Sequence, residues 1–437
     1  MFDWFRKMDG TERRTLYACF GGWAVDALDT QIYSFLIPTL IAAWQMTKAE
    51  AGFLGTSALI SSALGGWIAG MLCDRIGRVT VMKLATAWFL VFTILCGFAN
   101  SYEHLLFARV MSGIGFGGEW AAGSVLMGEM IRPAYRGKAV GTVQSAYAIG
   151  YAAAAIMSSV LFAMLPETSA WRWMFWVGVL PAVFVFVALR KVPEPKVFLD
   201  ARKARAAKGA EHVNPLRIFH PDMLRITLLT SVLALGVQAG GFSITLWLPT
   251  FLKTIHHLTT VEVGYHMLVL TFGSFVGYII AAYLCDAIGR RRNFLLFTVL
   301  NWLAIPAFLY LPGSALSLFP FDFVLGFATL GIYSALGPYF TELFPSAVRA
   351  TGQGFAYNFG RGVGAFFPTL IGLLSAQGST LSLRETMTIV ACATYFFVLI
   401  AIALLPETRG RNLAEAPDLL PKADDGEADT ALGLGHT

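Results

Sequence analysis

Hydrophobic residues along this chain fall into twelve long runs separated by short polar stretches. The runs cover residues 16–43, 50–73, 80–99, 105–131, 138–164 and 171–190, then 226–252, 261–284, 293–312, 316–341, 350–376 and 385–405. Each is long enough to cross a hydrocarbon layer of roughly 30 Å as a helix. The pattern predicts an all-α membrane protein with twelve transmembrane helices. A polar stretch rich in Arg, Lys and Ala, 191–225, divides the runs six and six. Residues 1–190 should form an amino-terminal half and 226–405 a carboxy-terminal half around a central cavity. The tail, 406–437, is polar, with Asp424, Asp425, Glu427 and Asp429 clustered. It is expected to be disordered. The first run is too long for a signal-peptide core and has no small-residue cleavage site after it, so it reads as a retained span.

Charge adds an orientation. Only 14% of the 437 residues are charged and 56% are hydrophobic, whereas a soluble domain carries roughly a quarter charged residues. The net charge of +5 says little, because the basic residues are unevenly placed. With the amino terminus in the cytoplasm, only Lys48, Arg172, Lys253 and Arg384 fall outside, and Arg109 and Arg361 fall within spans. Every other Lys and Arg falls inside, which predicts two cytoplasmic termini. The short outside loops suit a bacterial inner membrane. Cys19, Cys73, Cys96, Cys285 and Cys392 all lie in apolar runs without metal spacing and read as packing residues. His104, His256 and His257 are scattered in outside loops. No metal, organic cofactor or nucleic-acid partner is expected. With no His-Glu-x-x-His pair and no large soluble domain, neither is enzymatic activity.

The two halves repeat one design. Asp74 and Asp286 lie 212 residues apart, each just after an apolar run, in the matching stretches Gly70–Arg78 and Ala282–Arg290. Glu129 with Arg136 recurs as Glu342 with Arg349 after 213 residues, and Pro193-Glu194 recurs as Pro406-Glu407 after the same interval. Such parallel repeats are related by an axis normal to the membrane. Asp74 can accept bonds from helix amino termini and pair with Arg78 or Arg136. Gly70 and Gly77 permit close approach and a tight turn.

These residues resemble the major facilitator superfamily of transporters. Gly70-x-x-x-Asp74-Arg75-x-Gly77-Arg78 resembles its loop motif between spans two and three, and Arg109-x-x-x-Gly113-x-Gly115-x-Gly117 resembles its span-four motif. The stretch from Gly113 to Arg136 with Glu129, and Pro406-Glu-Thr-Arg-Gly410, resemble segments of its sugar and metabolite porters. The resemblance implies that Gly70, Asp74, Arg75, Gly77, Arg78, Glu129 and Arg136 gate the cytoplasmic side, with Asp286, Arg290, Glu342 and Arg349 as a second copy. Ala282 and Ala287 depart from the motif, so the second gate is expected to be weaker. Asp26-Ala-Leu-Asp29 is similar to the first-span motif of aromatic acid:proton symporters and of sialate and related carboxylate:proton symporters, with Ala27 in place of glycine. Gly117-Gly-Glu119-Trp120 and Asn358-Phe-Gly-Arg361-Gly362 resemble the same metabolite:proton branch.

The chemistry should lie at mid-membrane. Counted at 1.5 Å per residue from the inside ends, Asp26, Asp29, Glu119 and Arg361 all fall at roughly 15–20 Å. Ionisable groups at that depth cost several kcal/mol and are usually retained for a task. Arg361 offers a fork that suits a carboxylate, with Tyr357 and Asn358 on its face. It reads as an anion anchor or as a structural partner of Glu119 or an aspartate. Asp26 and Asp29 share a helix face, where like charge and a dry setting favour keeping a proton. Asp29 is the first choice of proton carrier and Glu119 a further candidate. The resemblance ties Arg109 to proton coupling, and a bond linking spans one and four is the alternative. Tyr33, Gln144, Tyr147, Tyr151, Gln238, Trp247 and Tyr333 either shape the cavity or simply pack. The expectation is a monomeric carrier that imports a small organic anion with protons. A neutral sugar or polyol carrier, or a drug exporter, is the alternative.

Overall fold

The computed structural model describes residues 3–46, 48–207, 214–310, 315–375, 380–411 and 413. Most of the acidic tail, and the middle of the linker at 208–213, lie outside the described residues. Among the described residues the chain is helical and has no strand.

Twelve spans follow one another. The first five are Gly10–Trp44, Lys48–Ile76, Arg78–Gly97, Tyr102–Met130 and Arg136–Met164. The sixth is Glu167–Gly178 continued by Leu180–Leu189, and the seventh is Pro221–Thr245 continued by Leu248–Ile255. The eighth and ninth are Thr260–Ile288 and Arg290–Tyr310. The tenth runs as Ala315–Gly331, a 3-10 turn Ile332–Ala335, and Leu336–Leu343. The eleventh is Arg349–Gly364 continued by Phe367–Leu374, and the twelfth is Leu383–Leu404. The breaks have a common cause. Pro181, Pro249, Pro338 and Pro368 stand at the start of the continuing segments, where a proline removes an N–H and crowds the preceding turn.

Among the described residues, nine of these helices are long and apolar enough to cross a membrane by length and composition. The exceptions are the first, fourth and eleventh. They are the spans that carry Asp26, Asp29, Arg109, Glu119 and Arg361. The helices that look least like lipid-facing spans are the ones holding the central charges.

Within each half, glycines bring helices into backbone contact. A Cβ on Gly113 would meet the Ala58 carbonyl at 2.5 Å, and one on Gly65 would overlap the Ile114 carbonyl. The repeat reproduces both contacts, with Gly326 against the Leu270 carbonyl and Gly277 against that of Phe327. Between halves, the second span packs on the eleventh and the fifth on the eighth. Both ends of the described chain lie on one face, called here the termini face. Trp4 Nε1 donates to Tyr283 Oη at 2.6 Å there, and Arg136 donates to the Arg411 carbonyl at 3.1 Å.

Candidate functional site

The termini face is closed by two ion-pair networks built alike. In the first, Arg78 forks onto Glu129 at 2.9 and 3.1 Å and pairs with Asp74 at 3.1 Å. Asp74 accepts from Thr351 N and Thr351 Oγ1, both at 2.8 Å, at the start of the eleventh span. Glu129 also holds Arg349 at 2.6 Å, so it too bridges the halves. In the second, Arg290 forks onto Glu342 at 2.9 and 2.8 Å and pairs with Asp286 at 3.1 Å. Asp286 accepts from Gly137 N and Lys138 N, both at 2.9 Å, at the start of the fifth span, and Glu342 holds Arg136 at 3.0 Å. A carboxylate at a helix amino terminus also gains from the helix dipole.

The second network is not reduced, contrary to the expectation from Ala282 and Ala287. Arg75, the counterpart of Ala287, is exposed and makes no ion pair among the described residues, so losing it removes nothing. Ala282 fits because it faces Gly141, where any Cβ would overlap its methyl group. Gly70 packs against the Ala350 carbonyl. Gly77 and Gly289 turn the chain at φ 110° and 97°, a region that penalises side chains. The segments after the sixth and twelfth spans add a part to which sequence reasoning gave no structural role. Glu194 caps the third span through Arg78 N and Thr80 N at 2.8 and 2.9 Å, and Glu407 caps the ninth through Arg290 N at 2.9 Å.

The mid-membrane residues divide into two groups rather than meeting as one. Asp29 pairs with Arg109 at 2.7 Å, both buried, with Tyr33 against the guanidinium at 5.2 Å. This pair ties the first span to the fourth. Asp26 and Glu119 instead turn their carboxyls toward each other, close enough for a hydrogen bond once one of them carries a proton. No other donor among the described residues reaches their four oxygens. Gly22 provides the room, since a Cβ there would overlap the Glu119 carboxyl.

Arg361 completes the second group from the opposite half. Its field reaches Asp26, Tyr147 and Tyr357. It donates to Ser62 Oγ at 3.1 Å and lies over the Phe116 ring at 4.6 Å. Among the described residues it makes no ion pair, although it is only 7% exposed. Aromatic rings frame it. Tyr357 stacks on Trp120 with centroids 3.4 Å apart, joining the eleventh span to the fourth, and Trp23 lies 5.9 Å from Tyr147. Gln144 accepts from Trp120 Nε1 at 3.0 Å, and Gln238 donates to the Tyr357 carbonyl at 2.7 Å. Both position these rings. Tyr333 packs against Gly241 and, with Tyr278, lies within reach of Tyr147 and Tyr357.

Asn358 lies against the second span, with its Oδ1 without a partner among the described residues. It donates to its own helix at Gly354 O, 2.9 Å, and is pressed against Gly66 of the second span. Trp247 donates to the Pro368 carbonyl at 2.9 Å, and Tyr151 packs on Phe35. Ser62, Phe116, Trp23 and Tyr278 were missed from sequence, because an apolar or small residue in a span announces nothing about what it faces. A small cavity bordered by Glu119, Trp120, Gln144, Cys19 and Ser124 lies on the termini side of the carboxyl pair. Below it, Gln353 bridges the halves to Ser124 Oγ at 2.6 Å.

Two six-helix repeats, a charged and aromatic site between them, and symmetric locks on one face define a polytopic solute carrier. The chain belongs to the Major Facilitator Superfamily, whose family model matches residues 19–367 and 256–423. It is 41% identical over 426 residues to a protein of Cupriavidus pinatubonensis described as a probable 4-methylmuconolactone transporter, covering 97% of this chain and 98% of that one. It is 29% identical over 362 residues to the cis,cis-muconate transport protein of Acinetobacter baylyi, covering 81% and 86%. Its fold matches the proton:xylose symporter XylE bound to 6-bromo-6-deoxy-D-glucose, with TM-score 0.78 at 19% identity, covering 93% and 98%. The chain is a multi-pass membrane transporter and not an enzyme.

Proposed function

We propose that this transporter imports a small organic carboxylate with protons across a bacterial inner membrane, with the termini face toward the cytoplasm. The observation that carries this reading is Arg361, a buried guanidinium without an ion-pair partner among the described residues. A buried unpaired charge is costly unless a partner arrives, and the anion of a substrate is that partner. Phe116 presents its ring face to Arg361, Tyr147 and Tyr357 lie within its field, and Trp120 stacks on Tyr357, an aromatic setting that favours a planar or conjugated acid. Relatives named for muconate and methylmuconolactone support the same substrate class.

Asp26 and Glu119 are the proton site. One proton shared between the facing carboxyls satisfies oxygens that otherwise have no donor. Asp29, the first choice from sequence, is paired with Arg109 and holds the first span to the fourth. In the cycle, one proton on the carboxyl pair takes it from two negative charges to one, which weakens its pull on Arg361 and favours docking of the anion on the guanidinium. The loaded halves then rock, and the termini-face locks open. Proteoliposome uptake under an imposed pH gradient tests this with muconate, nicotinate and hydroxyphenylpropionate against xylose and an amine. Accumulation of an acid that a protonophore abolishes is the expected result. Gradient-independent uptake, or selectivity for xylose, overturns it.

A further inference from the structure

The eighth and tenth spans hold a second buried pair. His266 Nδ1 is in hydrogen-bond contact with a carboxyl oxygen of Asp322, and both residues are fully buried. The imidazole stacks on Phe319 with centroids 4.5 Å apart. Among the described residues, His266 Nε2 and Asp322 Oδ1 have no partner. Both lie about two turns inward from the far-face ends of Thr260–Ile288 and Ala315–Gly331, roughly 10 Å. On their inner side the two helices are fixed in register by Gly273 against the Phe323 carbonyl and Gly326 against that of Leu270.

The repeat gives this pair a meaning. Asp322 lies 213 residues after Arg109, the interval that relates Glu129 to Glu342 in the same two spans. At that position the amino-terminal half places an arginine and pairs it with Asp29. The carboxy-terminal half places an acid and pairs it with a histidine. Guanidinium keeps its proton at any physiological pH, whereas imidazole exchanges one there. The two halves therefore bury an ionisable group at one equivalent position and partner it differently, Arg109 with Asp29 of the first span as a fixed charge and Asp322 with His266 of the eighth as a pair that can change. With a neutral imidazole and an ionised carboxyl, the pair carries one negative charge. One added proton makes it neutral, as imidazolium–carboxylate or as imidazole–carboxylic acid.

We propose that His266 and Asp322 form a second proton-binding site, loaded from the far face, in the outer part of the carboxy-terminal half. It is separate from the Asp26–Glu119 pair and does not rest on the role given to that pair. The groups that act on His266 are His256, at the end of Leu248–Ile255, and Glu262 on its own helix. Arg384 of the twelfth span acts on His256. Among the described residues, no titratable group of the fifth or ninth span acts on it. Loading cancels a buried charge where the eighth and tenth spans run to the far face, so external acid biases how those ends pack.

The test uses the full chain in lipid nanodiscs, with nitrogen-15 in its histidines, followed by NMR across pH. The resonance missing from His266→Gln is expected to change protonation state with pH. In Asp322→Asn its midpoint is expected to fall by about one pH unit or more, since the carboxylate partner is gone. An unmoved midpoint in Asp322→Asn, or a His266 resonance and an Asp322 carboxyl that both keep one state across the folded range, overturns the proposal. Should either variant not fold, Asp26→Asn protein labelled with carbon-13 aspartate reports the same event by infrared difference spectroscopy. An aspartate band that follows external acid and is absent from Asp322→Glu supports the site, and pH-dependent bands that this replacement leaves unchanged overturn it.

Discussion

The termini face and the membrane midplane follow opposite rules. On the termini face the lock ion pairs and the glutamate caps of one half have counterparts in the other. Arg78–Glu129 matches Arg290–Glu342, Glu129–Arg349 matches Glu342–Arg136, and the Glu194 cap matches the Glu407 cap. At the midplane the symmetry is gone. Glu119 corresponds to Ile332, Arg361 to Ala148 and Arg109 to Asp322 at the interval of 213. Between Asp222 and Glu262 the seventh span carries no acid to match Asp26. The symmetric layer is mechanical, because two halves that rock about one axis need equal locks. The asymmetric layer is chemical, because one substrate needs a single site of one polarity.

Variants can break or sharpen this contrast. The largest effect is expected at Arg361→Ala, which should weaken binding of the transported acid by about 30-fold or more, in line with roughly 2–5 kcal/mol for truncating one partner of a buried charge pair; calorimetric titration reads it, and retained affinity removes the anion site. Next come Glu129→Gln and Glu342→Gln. Each should cost the closed termini face about 3–5 kcal/mol, seen as a lengthened spin-label distance between the loops after the second and eighth spans. Unequal effects of the two would deny the mechanical symmetry. Asp26→Asn and Glu119→Gln should abolish accumulation against a gradient while sparing substrate exchange, whereas Ile332→Ala leaves coupling intact; counterflow assays separate the two activities. Gly77→Ala and Gly289→Ala should each destabilise by roughly 1–2 kcal/mol through positive φ, measured by thermal melting. Arg75→Ala should change stability by no more than about 0.5 kcal/mol, as expected of an exposed residue outside the lock.

Much of the symmetric layer was legible in sequence, because it consists of polar residues at helix ends repeated at one interval. Periodicity located the spans, and the repeat located Asp74, Glu129 and their copies. The inference that Ala287 weakens the second network failed at Arg75, since a motif does not say which of its arginines points at a carboxylate. The asymmetric layer was legible as a set of residues but not as a set of pairs. Depth counting put Asp26, Asp29, Glu119 and Arg361 on one level, yet Asp29 is held by Arg109 while Asp26 faces Glu119. Asn358, on the face assigned to Arg361, is taken up by Gly66.

By itself the sequence determined the membrane class, the twelve spans, the two-half repeat and the presence of charges that lipid would not tolerate. These depend on hydropathy and spacing, which are local. Only the tertiary structure decided which charge meets which, that Arg361 stays without an ion pair among the described residues, and that His266 and Asp322 are partners. Each residue turns a helix by about 100°. Whether two buried groups touch is therefore set by rotation, depth and the glycine seams between helices, and no single span contains that information.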